Sequence, residues 1–314
     1  MEHPKKIAVV GAGLIGQAWT LVFARAGCEV RLWDCDTTAL RKAMLMVADL
    51  AAELERSGLV DDAEALIGRV NGCQDLGEAL SGVQYIQENI PEILATKQAF
   101  YTQLDILAPA TAVIGSSTSS IPASTFTEKL ITRSRCLVAH PVNPPYLIPI
   151  VEVCGAPWTS PEAVQSCMDL MLSVHQKPVH VLRELNGFIL NRLQGALLRE
   201  AFRLVEQGYV DMDGLDVTVR EGLGLRWSFM GPFETIDLNA PGGLADYCER
   251  YGSMYQTIAT DQVSTSAWTP ELVAQLHQAR RECLPTEALE GRRSWRDRRL
   301  MALIKHKKIL NPAL

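Results

Sequence analysis

The sequence predicts an α/β protein: a doubly wound, mostly parallel sheet followed by an all-helical C-terminal domain. Three observations carry that expectation. Short apolar runs alternate with helical patterns from residue 5 to about residue 183. A glycine-rich turn joins the first of those runs to the first helical pattern. After Asn186 the strand texture stops and only helical periodicity remains. With 314 residues and about 150 per domain, two domains are expected, residues 1–185 and 186–314.

The first element is the most specific. Residues 7–34 read IAVVGAGLIGQAWTLVFARAGCEVRLWD. An apolar run, Ile7 to Val10, leads into Gly11, Gly13 and Gly16; an amphipathic stretch follows and closes at Gly27; a second apolar run, Val30 to Trp33, ends at Asp34. Strand, glycine turn, helix, strand and acid in that order form a dinucleotide-binding plan. Gly11 permits the tight turn, Gly13 lets the backbone approach a pyrophosphate, and Gly16 lets the helix pack closely on the sheet. The helix N–H groups of Gly13, Leu14, Ile15 and Gly16 then face the phosphates. Asp34, 18 residues after Gly16, is placed to accept from a ribose 2′-hydroxyl and would repel a 2′-phosphate, so NAD is the expected cofactor rather than NADP.

Further apolar runs follow at Tyr85–Gln87, Ala112–Ile114, Cys136–Ala139, Ile150–Val153 and Pro178–Val181. Most are rich in β-branched residues and bounded by Gly, Pro or Ser, as buried strands should be. Residues 37–69 are long enough for two helices, with the break at Ser57–Gly58. In the second domain NGFILNRLQGALLREAFRLVEQG places apolar residues at 189, 190, 193, 197, 201, 204 and 205, one helical face closed by Gly208.

Composition limits the partners. The net charge of −6 argues against nucleic acid. The basic stretch Arg292, Arg293, Arg296, Arg298, Arg299, Lys305, Lys307 and Lys308 is interleaved with Trp295, Leu300, Leu303 and Ile304 and reads as an amphipathic terminal helix. No signal peptide is expected from Met1 to Lys6. The longest uncharged stretch, Ile106 to Thr127, holds nine Ser or Thr residues and two prolines and is no membrane span. Eight cysteines without a C-x-x-C pair suit reduced thiols and a cytoplasmic location. His175 and His180 lack a third ligand, so no metal is expected.

The polar groups suited to chemistry fall in three stretches, GSSTSSIP (115–122), AHPVNPPYLIPIVEV (139–153) and NGFILNR (186–192). His140 follows an apolar strand and should project from its carboxyl end. Glu152 sits inside another apolar strand, where a carboxylate is costly unless paired. A Glu152 bonded to one imidazole nitrogen would fix the tautomer and leave the other nitrogen to exchange a proton. On the residues alone, a loop histidine and an edge-strand glutamate that never meet is the competing reading.

These stretches and the fingerprint resemble the 3-hydroxyacyl-CoA dehydrogenase superfamily, and within it the lambda-crystallin branch that includes L-gulonate 3-dehydrogenase. The marks are SSTSS, AHPVNPP with a Glu twelve residues after the His, GFILNRLQ, GLGLRWSFMGPFET and RRSWRD. The resemblance implies a Rossmann-type domain and makes His140 the general acid/base with Glu152 its partner. It implies that Ser119 and Asn191 bind the reacting oxygen, that Glu92 and Lys97 line the cofactor, and that the helical domain forms a homodimer.

The sequence carries two arguments for a small free 3-hydroxy acid over an acyl-CoA. The hairpin LERSGLVDDAEALIGR is acidic around its turn, with Asp61, Asp62 and Glu64, which would repel CoA phosphates. Arg226, in GLGLRWSFMGPF, could clamp a substrate carboxylate bidentately, although a packing or interface ion pair is open to it as well. An L-3-hydroxyacyl-CoA dehydrogenase remains an alternative. So does an L-carnitine dehydrogenase, for which Trp227 and Phe229 could contribute to an aromatic cage. A crystallin-like structural role without catalysis is disfavoured, because every catalytic position holds the expected residue type.

Overall fold

A computed structural model describes residues 5–263 and 267–310. Eight strands form one sheet: β1 Lys6–Val10, β2 Glu29–Trp33, β3 Val70–Cys73, β4 Tyr85–Glu88, β5 Val113–Ser116, β6 Cys136–Pro141, β7 Ile150–Gly155 and β8 Lys177–Val181. Their spatial order is β3-β2-β1-β4-β5-β6-β7-β8. Neighbours are parallel, except the antiparallel pair β6–β7. The chain runs outward from β1 to β3 and resumes on the other side of β1 with β4. The order therefore reverses between β1 and β4, where the loops leaving the two strands diverge and open a crevice.

Alternate residues of β1 enter two different cores. Ile7 and Val9 join Trp19, Leu21 and Phe23 of the helix Leu14–Arg25, whereas Ala8 and Val10 join Phe100, Tyr101 and Leu104 of the helix Leu94–Leu107. Burial on both faces is why the strand reads as one apolar run rather than an alternation. The sequence runs account for seven of the eight strands. β3 has no such signature, because at the sheet edge only Val70 and Cys73 of its four residues are buried.

Residues 37–69 fold as anticipated. A helix Thr37–Arg56 starts at an Asp36 cap and stops at Ser57, Gly58 turns the chain with φ 68°, and a short helix Ala63–Ile67 follows.

The chain forms two compact units, one comprising residues up to Asn191 together with those from Gly291 onward, the other Arg192–Glu290. The break thus falls six residues later than the change of texture at 185/186, because Ile189 and Leu190 donate to Glu152 of β7 and Asn191 to the Ser119 carbonyl. The last helix, Leu289–Leu310, returns to the first unit. Met301 is 2% exposed in the same core as Leu54 and Leu66, with Leu300 and Ile304 packed against it, and Ser57 donates to Met301 Sδ at 3.0 Å. This modifies the charge reading of the hairpin. The basic helix lies against it, with Lys305 Nζ 3.4 Å from where a Gly58 Cβ would stand, so the turn is not the isolated acidic surface that its own residues suggest.

The second unit is helical, with Met212–Val217, Pro232–Asp237, Gly243–Asp261 and Pro270–Cys283 following the long helix Leu190–Glu206. Among its described residues only Ala201, Thr235 and Leu272 are buried. The apolar face expected on Leu190–Glu206 exists but is only partly covered: Leu193 is 64% exposed, whereas Ala201 is buried. Among the described residues, no helix is long and apolar enough to cross a membrane.

Candidate active site

The crevice is built from the carboxyl ends of β1, β2, β4 and β5. Gly11, with φ +90°, donates from its N–H to the Trp33 carbonyl at 2.8 Å and so turns the chain sharply out of β1. A Cβ on Gly11 would stand 2.8 Å from the Asn89 backbone, and one on Gly16 only 1.8 Å from the Gly11 carbonyl. Neither position can accept a side chain. Gly13 differs, since nothing lies within 4 Å of its Cβ position; open space sits over the turn. The helix Leu14–Arg25 has no side-chain cap and no acid in its first turn. Its leading N–H groups, around Leu14 and Ile15, are thus available to an anion. Asp34 accepts from Ala12 N at 2.7 Å and from Asp36 N at 2.9 Å, holding the glycine turn against the end of β2. These residues fit a dinucleotide pyrophosphate and ribose.

β4 and β5 supply the far wall through a buried polar network. Ser117 Oγ accepts from Trp19 Nε1 at 3.0 Å and from Gln87 Nε2 at 2.7 Å, and donates to Asn89 at 2.7 Å. Glu92 reaches into the serine loop. Its carboxylate accepts from Thr118 Oγ1 at 2.6 Å and from the N–H groups of Ser119 and Ser120, both at 3.0 Å. Burial pushes the Glu92 carboxyl up, but the bonds from Thr118, Ser119 and Ser120 and the Lys97 charge outweigh it and hold it below its ordinary value.

Lys97 is not where a cofactor-lining lysine would present its charge. It is 1% exposed, and its ammonium bonds Glu88 Oε1 at 2.8 Å and Oε2 at 2.9 Å. Glu88 also accepts from Ser116 Oγ at 2.6 Å, Ile90 N at 2.7 Å and Tyr101 at 3.4 Å. A buried ion pair is tolerable when its remaining hydrogen-bonding capacity is satisfied in this way. It ties the loops after β4 and β5 together from beneath. The sequence reading missed Glu88; an acid closing an apolar strand nine residues before a lysine was the available signal.

The residues expected to act as acid and base lie on β6 and β7. Their antiparallel register sets His140 directly opposite Glu152. His140 Nδ1 and Glu152 Oε2 are 2.9 Å apart, with His140 5% and Glu152 2% exposed. The two residues meet, and the alternative of an unpaired histidine and glutamate is removed. The other carboxylate oxygen accepts from Ile189 N at 2.7 Å and Leu190 N at 2.9 Å, at the start of the helix Leu190–Glu206. Burial pushes the Glu152 carboxyl up; the bonds from His140, Leu190 and Ile189 prevail, and the group lies below its usual range. With Nδ1 engaged, Nε2 is the nitrogen left for proton exchange.

Ser119 and Asn191 are also brought together, since Asn191 Nδ2 donates to the Ser119 carbonyl at 3.0 Å. Ser119 is exposed and Asn191 half-buried. Segment 189–191 therefore touches both the Glu152 carboxylate and the serine loop. Arg226 lies in the other unit, on the short helix Gly224–Trp227. It is exposed and makes no salt bridge among the described residues. No cluster of His, Cys, Asp or Glu among the described residues could hold a metal ion.

Comparison with known proteins agrees with the fold and with the dinucleotide turn. Residues 6–185 match the NAD binding domain of 3-hydroxyacyl-CoA dehydrogenase, and residues 187–282 its C-terminal domain. The chain is 41% identical to the lambda-crystallin homolog of Bos taurus over 310 residues, covering 96% of each chain. It is 36% identical to the L-carnitine dehydrogenase of Streptomyces griseus, covering 88% of this chain and 81% of that one. Among solved structures, 5-formyl-3-hydroxy-2-methylpyridine 4-carboxylic acid 5-dehydrogenase, an NAD-dependent dismutase, superposes with a TM-score of 0.83 at 27% identity, covering 98% and 99% of the two chains.

Proposed function

Because the chain belongs to the 3-hydroxyacyl-CoA dehydrogenase family, whose members use NAD to act on a CH–OH group, we propose that it oxidises the 3-hydroxyl of a small free 3-hydroxy acid, L-gulonate or a close relative, to the 3-oxo acid. The observation that carries the reading is the buried His140–Glu152 pair at the carboxyl end of the sheet.

The glycine turn and Asp34 hold NAD, which when bound supplies the hydride acceptor. The chain's own residues handle the proton and the oxygen. His140 takes the hydroxyl proton at Nε2 while Nδ1 donates to Glu152. Glu152, kept ionised by three donors, stabilises the imidazolium that results. Ser119 and Asn191 orient the substrate oxygen and stabilise its developing carbonyl character. Glu92 holds the serine loop, and Lys97 holds the base of that wall through Glu88.

Two features support a free acid. The Arg226 guanidinium is not committed to an ion pair with a described residue, which leaves it able to clamp a carboxylate. The dismutase neighbour is named for a free carboxylic acid substrate. The hairpin charge no longer contributes, since the C-terminal basic helix lies on it. A second reading, oxidation of L-carnitine, draws on the carnitine dehydrogenase relatives and on the exposed Trp227 and Phe229.

The working species in this reading is a homodimer, joined through the helical unit, whose exposed apolar side chains need a second copy to cover them. All eight cysteines are free, which suits the reducing cytoplasm.

Initial NADH formation at about pH 9, where proton release favours oxidation, tests the reading. The panel is L-gulonate, L-3-hydroxybutyrate, L-carnitine and L-3-hydroxybutyryl-CoA, with His140→Ala as the blank. Turnover of a free acid alone supports it and makes Arg226→Ala the next variant. Turnover of the thioester alone, with Arg226→Ala unchanged, overturns the choice of substrate.

A further inference from the structure

The turn that joins the sheet to the long helix carries backbone strain beside the reacting imidazole. Gly187 and Phe188 are consecutive left-handed residues, with φ 76° and 47°. Glycine adopts that region freely, but for a bulky phenylalanine it costs free energy and persists only where the surroundings over-determine it. Among the described residues only His175 and Phe188 are non-glycine residues with positive φ. Phe188 is 0% exposed, packed in the core that contains Val138 of β6 and Cys154 of β7. Its ring centroid lies 5.6 Å from that of His140, with the planes inclined by 33°.

We propose that Phe188 is a positioning residue for His140, and that the strained Gly187–Phe188 turn exists to place it; the proposal rests on the reading of His140 as the proton-exchanging group. Two consequences of one turn support it. The Phe188 ring packs beside the imidazole in a tilted contact and narrows its terminal torsion, which is otherwise broad, favouring the orientation that meets Glu152. The left-handed backbone also aims the next two N–H groups, Ile189 and Leu190, at Glu152 Oε1. Ring plane and carboxylate position are thus set by adjacent residues. An ordinary helix start would cap itself with its own side chain; here the partner carboxylate does so, and the helix cannot shift without moving the acid/base pair. Positioning the base, rather than binding the substrate, is where the strain would act.

The test compares Phe188→Leu, which keeps apolar bulk but loses the aromatic face, with Phe188→Tyr, which keeps the ring, in the full-length protein. For the leucine variant kcat should fall about 10- to 100-fold, while KM and the Kd for NAD stay within about threefold. The tyrosine variant should stay within about threefold of wild-type kcat. A second readout uses no turnover: in wild-type protein with labelled imidazoles, His140 ring protons should show cross-relaxation to the Phe188 ring and a ring-current shift that Phe188→Leu abolishes. Equal losses in the two variants, a rise in KM matching the fall in kcat, or no ring-to-ring cross-relaxation in the wild type would overturn the proposal. Full activity of His140→Ala would instead remove the parent reading, and the catalytic half of this one with it, leaving the cross-relaxation to judge the contact alone.

Discussion

The two units solve the burial problem differently. In the first, both faces of the sheet are covered, and even its polar groups are enclosed: Gln87, Glu88, Lys97 and Ser116 are at most 1% exposed, each with a bonded partner. In the second, residues 192–290 bury only Ala201, Thr235 and Leu272 among those described, while Tyr209, Phe229, Phe233 and Leu238 are each at least 67% exposed. Exposed apolar side chains in that number are costly for a lone unit, and the proposed dimer would cover them. The contrast separates a unit that buries its own apolar surface from one that leaves much of it open. In the proposed reading His140, Glu152, Ser119, Asn191 and the cofactor turn sit in the first unit and Arg226 in the second, whose uncovered side chains a second copy would bury.

The largest expected effect strikes the first unit alone. His140→Ala should lower kcat by about 10²- to 10⁴-fold, with NAD affinity and molecular mass in solution unchanged. Loss of NAD affinity in that variant would mean that the two halves of the site are coupled more tightly than the bonding shows. Glu152→Gln sharpens the point through pH. The Glu152 carboxyl lies below its ordinary value because hydrogen bonds overcome its burial, so it contributes stability above the unfolded carboxylate pKa. That stability is lost as pH falls through the depressed folded value. The wild type should therefore be destabilised relative to Glu152→Gln on acidification below the ordinary carboxylate range, and thermal unfolding of both proteins across that range would detect it. Parallel melting curves at every pH would show that Glu152 titrates normally.

Much of the first unit was legible in the sequence because its burial is two-sided and local. Gly11, Gly13 and Gly16 stand between an apolar strand and a helix, and each glycine has a steric or open-space reason for lacking a side chain. His140 and Glu152 could be suspected because a carboxylate in an apolar strand needs a partner; the antiparallel register that joins them is a pairing no single strand reveals. Other features depend on long-range contacts. β3 is too short and too exposed to announce itself. Lys97 lies on a helix of ordinary pattern, and only the fold turns its ammonium inward to Glu88. The left-handed Phe188 follows a glycine that signals a turn, but not which residue must bear the strain. The surroundings of the hairpin depend on a helix more than two hundred residues away, whose Lys305 reaches Gly58.

The second unit is tested by a charge on its uncovered face. Phe233 is 75% exposed and lies on the helix Pro232–Asp237, so Phe233→Asp should fold as well as the wild type. If a second copy covers that face, the substitution leaves an unpaired carboxylate in the interface, at about 3–5 kcal/mol. Sedimentation should then show a monomer at concentrations where the wild type is a dimer, with NAD binding retained. A wild type that sediments as a monomer would refute the dimer outright.

The smallest effect separates two neighbours on the last helix, and it decides to which unit that helix belongs. Met301 is 2% exposed against the core of the first unit, whereas Leu303, two residues on, is 42% exposed. Met301→Ala removes buried atoms and leaves a cavity, so it should cost about 2–5 kcal/mol. Leu303→Ala should lie within about 0.5 kcal/mol of wild type. Both can be read by denaturant unfolding at a protein concentration held constant, since a dimer's apparent stability depends on it. If the helix is an integral part of the first unit, Met301→Ala also lowers the NAD-dependent gain in melting temperature no more than its stability loss requires. If Leu303→Ala costs more than Met301→Ala, the helix is held by its outer face instead, and the partner copy rather than the first unit's core keeps it in place.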